Sequence, residues 1–127
     1  MDKENAMSKY DREPDVVLNV LGTNYAVYKG VARSDDKVLE TCAGYCDRTA
    51  KRIVVAAVDA ECECGEPDEY TRYILRHEII HAFLYESGIG GDTVWDIEGQ
   101  DHPEHMVEWI AMQFEKMMKA FKAVDAL

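Results

Sequence analysis

The alternation of apolar and polar positions predicts a β-rich first half of the chain. Residues 16–21 and 24–28 are rich in β-branched and aromatic side chains, and Gly22-Thr23 lies between them. A glycine at the first of two turn residues predicts a hairpin with a type II′ turn. Residues 52–58 form another short run rich in valine and isoleucine, which predicts a third strand.

The second half of the chain has helical periodicity. A first helix is predicted over about Pro67–Glu86, because proline suits the first helical position and Gly88 follows the last periodic residue. A second helix is predicted over about residues 103–124. We expect its apolar stripe to pack against the sheet and the first helix; the stripe comprises Val107, Ile110, Ala111, Phe114, Met117, Met118 and Phe121.

The remaining segments carry weaker signals. Residues 1–14 are polar and charged, which predicts a mobile N-terminal arm ahead of a single domain over residues 15–127. In residues 34–51, Ser34-Asp35-Asp36 can cap a short helix through Leu39, while the groups after it favour loops. The elements together predict an α+β fold, with an antiparallel or mixed three-stranded sheet packed against two helices.

Composition narrows the class of protein. A chain of 127 residues with 47% apolar content fits one domain. Its 25 acidic and 14 basic residues give a net charge of -11, which opposes nucleic-acid binding. No run of residues is apolar enough to predict a signal peptide or a membrane span, so we expect a cytoplasmic protein.

Four cysteines could serve a second site. Cys42 and Cys46 are spaced C-x3-C, and Cys62 and Cys64 are spaced C-x-C. Neither spacing is typical of a zinc ribbon or knuckle, so reduced thiols are expected, with a second metal site or a disulfide as alternatives.

The sequence His77-Glu78-Ile79-Ile80-His81 matches the H-E-x-x-H pattern of zinc peptidases within the first predicted helix. Imidazoles four residues apart project from one helical face and can bind one metal ion. The carboxylate between them can accept a proton from a water that the metal activates. Because two imidazoles and a carboxylate are costly to bury without partners, the apolar context favours a metal site.

A catalytic zinc needs a third protein ligand. Glu104 and Glu108 share one face of the second predicted helix and are both candidates. His102 and His105 are alternatives.

The segments RHEIIHAFLYESG and EHMVEWIA together resemble the gluzincin metallopeptidases. They are also similar to small phage- and bacterium-associated proteins called minigluzincins, and more distantly to the ImmA/IrrE type. The resemblance covers roughly residues 16–121. It departs from the gluzincin pattern at Pro103, where asparagine is usual, and at Glu108, where aspartate is commoner.

The resemblance implies a zinc ion held by His77, His81 and Glu104, with Glu78 as general base and Glu108 as an outer-shell partner of a ligand. It also implies a small zincin-like domain in which the strand near residues 53–58 borders the cleft. A protein or peptide substrate is expected to bind extended along a sheet edge. Tyr45, Tyr85 and His102 are candidates, from residue type alone, for an oxyanion donor.

Three functions follow from these residues. The first is a zinc-dependent peptidase, and the second is a zinc-binding regulatory or phage accessory protein with little turnover. The third is a domain in which zinc has only a structural role and joins the two helices. Glu78 favours the peptidase, because a structural zinc site needs no base. The sequence indicates neither the substrate nor the oligomeric state.

Overall fold

The computed structural model describes residues 10–58, 64–88 and 104–127 and has an α+β fold. One helix packs on a mixed four-stranded sheet, and a second helix packs on the first. The elements are β1 (Val16–Val20), β2 (Thr23–Val31), β3 (Gly44–Asp47), β4 (Arg52–Ala56), α1 (Pro67–Glu86) and α2 (Glu104–Ala123). Neither helix in these ranges combines the length and the apolar character that crossing a bilayer requires.

The first two strands form the predicted hairpin, but its turn lies one residue earlier. Val20 pairs with Thr23, so the two turn residues are Leu21 and Gly22. Both have positive φ, 51° and 94°, which is typical of a type I′ turn rather than the predicted type II′ turn. The side chain of Asn19 accepts a hydrogen bond from the Gly22 amide and so closes the turn on itself.

The prediction of three strands is wrong, because the described residues form four strands in the order β1-β2-β4-β3. β4 pairs in parallel with β2 and antiparallel with β3, which makes the sheet mixed and leaves β3 at one edge. The ambiguous segment before β3 forms two 3-10 turns, Arg33–Asp35 and Lys37–Glu40. Asp36 caps the second turn by accepting a hydrogen bond from the Val38 amide, in partial agreement with the predicted cap.

The main core lies between the sheet and α1. Ala82 of α1 is fully buried, and its partly buried neighbours Ile74, Leu75 and Ile79 pack against the same face of the sheet. That face presents Val20, Tyr25, Val27, Ile53 and Val55. These contacts fix the orientation of α1, and with it the direction in which the remaining faces of the helix point.

The opposite face of the sheet is covered by the 3-10 turns and by the chain before β1. Tyr10, within the segment predicted as a mobile arm, is buried against Tyr28 with ring centroids 4.8 Å apart. Its hydroxyl donates to Asp36, and the Arg52 guanidinium lies 4.3 Å from its ring centroid. Residues 1–9 lie outside the described ranges, and the mobility of the predicted arm stays a prediction. At the end of that segment, Tyr10 packs against the sheet.

The predicted core stripe of α2 is buried only in its first half. Val107 and Ala111 are buried, whereas Phe114 is 47% exposed and Phe121 is 42% exposed. The main contacts of α2 are with α1, not with the sheet. The prediction that the whole stripe packs in the core is therefore wrong, because α1 lies between α2 and the sheet and covers a single side of α2.

Candidate metal centre

Three side chains from the two helices converge on one point. His77 Nε2 and His81 Nε2 lie 3.2 Å apart. Glu104 Oε2 lies 3.0 Å from His77 Nε2, and Glu104 Oε1 lies 2.9 Å from His81 Nε2. Of the residues that the structure describes, these are the ones whose donor atoms cluster closely enough to hold a metal ion.

The separations fit zinc. Zinc bonds of roughly 2.0 to 2.2 Å in tetrahedral geometry place neighbouring ligand atoms about 3.3 Å apart, close to the distances among these three side chains. Two imidazole nitrogens and one carboxylate oxygen are also a common ligand set for catalytic zinc, with a fourth position left for water. The three residues therefore fit the ion that the sequence predicted.

The helix that carries the histidines is anchored at its far end. Glu86, in the last turn of α1, accepts hydrogen bonds from Lys51 Nζ at 2.8 Å and Tyr25 Oη at 2.6 Å. These bonds lower the pKa of Glu86 to about 2. The last turn of α1 is thereby tied to β2 and to the loop before β4, which fixes the helix that presents the imidazoles.

Glu104 reaches the histidines because α2 docks on α1. Arg76 Nε donates to the carbonyl oxygen of Ala111 at 2.9 Å, and Arg76 also pairs with Glu69 and Glu115. Val107, one turn after Glu104, is fully buried. These contacts place the first turn of α2 beside the histidine pair.

Glu78 points to the opposite side of α1 from Arg76, toward β3. Its side chain is buried, and burial, together with the charge of Glu104, raises the pKa of Glu78 to about 8. Gly44 permits this approach of strand and helix. A Cβ atom added at Gly44 would lie 2.8 Å from Ile74 Cγ2, 3.0 Å from the Val54 carbonyl oxygen and 3.6 Å from Glu78 Cγ.

A cavity of about 610 Å³ opens beside the three ligand candidates. Its wall is the edge strand β3, and β4 contributes no described residue to it, so the implied placement of the 53–58 strand at the cleft is wrong. β4 pairs on both sides and is interior to the sheet. The lining residues are Cys42, Ala43, Gly44, Tyr45, Cys46, Tyr70, Tyr73, Ile74, His77, Glu78, His81, Tyr85, Glu104 and Glu108.

The other predicted site residues are placed as follows. Glu108 lines the cavity and acts electrostatically on Tyr73; no described hydrogen bond joins it to His77, and its outer-shell role stays a prediction. His105 is exposed and lies outside the three-residue cluster. His102 falls outside the described residues.

The two tyrosines considered as oxyanion donors differ. Tyr45 Oη donates to Asp36 Oδ2 at 2.5 Å, and burial raises the pKa of Tyr45, so its hydroxyl is already engaged away from the ligands. Tyr85 lines the cavity, with its ring stacked on His81 at 6.3 Å between centroids.

Sequence reasoning missed Tyr73 and Gly44. Tyr73 lies in the cavity with its ring edge-on to His77, 6.4 Å between centroids. Its position four residues before His77 was a usable signal, because that spacing places the two side chains on one helical face. Gly44 had no comparable signal, since the need for a glycine arises only from the approach of α1.

The cysteines form no second metal site in the described residues. Cys42 and Cys46 are free thiols, as predicted, and burial raises the pKa of Cys46 to about 12. Cys64 is disulfide-bonded, which corrects the prediction of a reduced thiol there. A sulfur in a disulfide offers no thiolate, so a zinc site built from all four cysteines does not fit this structure.

Comparison with protein-family models, curated proteins and solved structures gives no significant match to this chain. The resemblance to gluzincins therefore stays a prediction from the two sequence segments.

Proposed function

We propose that the chain is a zinc-dependent peptidase. The observation that carries this proposal is the position of the His77, His81 and Glu104 cluster, which borders an open cavity and has the buried Glu78 carboxyl beside it. A purely structural zinc site is closed by four protein ligands, whereas a catalytic site has three ligands and an accessible fourth position. The cavity supplies that access.

When bound, zinc supplies a Lewis acid and lowers the pKa of a coordinated water to about 7. Glu78 then acts as the general base, because its carboxylate can accept the proton from the attacking water and later deliver it to the leaving amine. Burial strengthens Glu78 as a base, since it disfavours the charged form and raises the pKa of the carboxyl. Tyr73 and Tyr85 flank the histidines on α1.

The edge strand β3 gives a peptide its register. The Ala43 carbonyl accepts a hydrogen bond from the Ala56 amide, and antiparallel pairing alternates along a strand. The main-chain groups of Gly44 and Cys46 therefore point away from β4, toward the open edge. An extended peptide that pairs there lies between β3 and α1, with its main chain beside the ligand cluster.

The alternative that one observation favours is a structural staple. α2 makes its main contacts with α1, so a zinc ion shared by both helices would add much of the attachment of α2. This alternative explains the ligands but gives no role to Glu78, which a staple does not need.

Substitution of Glu78 separates the two functions. Glu78→Gln leaves all three ligands in place, so we expect one bound zinc per chain, while hydrolysis of a peptide library falls by about 10²- to 10⁴-fold. Glu66→Gln, an exposed glutamate just before the same helix, is the matched control and should retain wild-type turnover. Zinc is measured by elemental analysis and hydrolysis by mass spectrometry of the library. Equal turnover by Glu78→Gln and wild type, or zinc bound with no turnover by wild type, contradicts the peptidase proposal.

A further inference from the structure

The cavity has chemically different ends. It follows α1 on both sides of the histidine pair, from Tyr70 and Tyr73 before His77 to Tyr85 after His81. At 1.5 Å per residue, the 15 positions from Tyr70 to Tyr85 span roughly 22 Å, room for several residues of an extended peptide. The two ends are therefore far enough apart to contact different side chains of one substrate.

The Tyr85 end has a cation. The guanidinium carbon of Arg48 lies 5.3 Å from the Tyr85 ring centroid, and Arg48 is exposed. The Tyr85 ring is thus already paired with a positive charge. A lysine or arginine of a substrate would meet repulsion at this end.

The opposite end has two aromatic rings and a carboxylate. Tyr70, Tyr73 and Glu108 all line the cavity there, and Glu108 is exposed. Glu108 and Tyr73 line the same cavity, so one bound side chain can contact both. The guanidinium of Arg76 is engaged by Glu69, Glu115 and the Ala111 carbonyl.

We infer that the end of the cavity formed by Tyr70, Tyr73 and Glu108 binds a lysine or arginine side chain of the peptide. Aromatic faces attract a cation, and a carboxylate adds a charge-assisted hydrogen bond. The inference rests on the proposed peptidase function and specifies its substrate class, peptides with a basic residue on one defined side of the cleaved bond. It also gives Glu108 a role in selectivity that differs from orienting a zinc ligand.

The two roles of Glu108 predict different kinetics. A residue that orients a ligand changes turnover of every substrate by the same factor, because it acts on the metal. A residue that contacts one substrate side chain changes only the substrates that carry that side chain. The test therefore compares peptides rather than absolute rates.

The experiment uses peptides that are identical except for lysine, norleucine or glutamate at one position, with that position moved along the sequence. We expect wild type to prefer lysine over norleucine, in kcat/KM, by about 3- to 30-fold at one position, the combined range for an exposed ion pair and an exposed cation–π contact. Glu108→Gln should remove most of that preference. Glu66→Gln, an exposed glutamate that does not line the cavity, is the matched control and should retain it.

A binding measurement separates this inference from the proposed function. The zinc-loaded Glu78→Gln protein is titrated into the same peptides, labelled with a fluorophore, and anisotropy is recorded. Lysine-selective binding that depends on Glu108, without hydrolysis by wild type, supports the subsite and rejects the peptidase. Hydrolysis without lysine preference, or an equal loss for all three peptides in Glu108→Gln, overturns the subsite and leaves the peptidase. No binding and no hydrolysis overturns both.

Discussion

The two helices that build the candidate metal centre are held very differently. α1 packs on the sheet through Ile74, Leu75, Ile79 and Ala82, and its last turn is tied to β2 through Glu86 and Tyr25. α2 makes its main contacts with α1 and buries only Val107 and Ala111 among its described side chains. Its outer surface exposes large apolar side chains, including Trp109 and Met112.

The candidate site residues are divided between the two helices. His77, His81 and Glu78 belong to the anchored helix, whereas Glu104 belongs to the weakly held one. The two proposed histidine ligands and the proposed base are therefore positioned by the core itself, but the proposed third ligand is positioned by the docking of α2. We expect a bound metal to stabilise α2 more than α1, because only α2 gains a new attachment.

The largest expected effect is that of zinc on α2. A ligand present at about 1,000 times its dissociation constant stabilises the folded state by about 4 kcal/mol. We expect zinc to raise the melting temperature accordingly and to slow hydrogen exchange in α2 more than in α1. Hydrogen exchange read by mass spectrometry, with and without zinc, measures both helices in one sample.

The variants Glu104→Ala and His105→Ala test whether this effect uses the ligand we assign. His105 is the exposed neighbour of Glu104, so its replacement should preserve the zinc effect, while Glu104→Ala should abolish the extra protection of α2. If zinc slows hydrogen exchange equally in α1 and α2, the expectation that the metal mainly attaches α2 to α1 is contradicted.

A smaller effect is expected on the anchored side, at Gly44. Gly44→Ala places a Cβ atom 2.8 Å from Ile74 Cγ2 and 3.0 Å from the Val54 carbonyl oxygen, so strand and helix must separate. Overpacking of this kind costs about 1 to 3 kcal/mol in the free energy of unfolding. Urea denaturation measures the loss. Gly65→Ala is the control, because nothing lies within 4 Å of the Cβ atom added there. Similar free energies of unfolding for the two variants would show that β3 and α1 are not closely packed at Gly44.

The smallest effect concerns the tie at the end of α1. Hydrogen bonds from Lys51 and Tyr25 hold the pKa of Glu86 at about 2, below its ordinary value of 4.5. Because the pKa of Glu86 is lower in the folded protein than in the unfolded chain, ionised Glu86 stabilises the fold at any pH above about 4.5. This contribution to stability is lost as the pH falls from 4.5 through 2. Glu86→Gln should therefore melt below wild type at neutral pH, and the difference should shrink toward pH 2. A difference that stays constant across this range would rule out the ion pair as its cause.

The sequence predicted α1 completely because each of its signals is local. Pro67 marks the first turn, Gly88 follows the last, and the helical period between them is unbroken. The predicted turn between β1 and β2 is one residue too late, because Leu21 adopts a positive φ. A leucine side chain disfavours that conformation, so the residue type gives no signal for it. Local chemistry thus fixed the hairpin but not its exact turn residues.

The parts that the sequence could not predict depend on distant residues. β3 is four residues long and contains a glycine, so its own sequence pattern is too short to identify a strand. The segment becomes a strand because it pairs with β4. The exposed half of the α2 stripe was misread because helical periodicity shows that a face is apolar but not what covers it. Of the candidate site, the two histidines and Glu78 follow from one helix, whereas the approach of Glu104 depends on how α2 docks.

Tyr10 has a practical consequence for preparing shortened forms of the protein. A chain trimmed to begin at residue 15 would keep all the strands and helices that the structure describes, yet it would remove the ring that covers Tyr28 and the hydroxyl that donates to Asp36. The sheet would then expose apolar surface on the side away from the metal centre, where self-association is the expected result. Truncations intended for crystallisation should therefore begin before Tyr10.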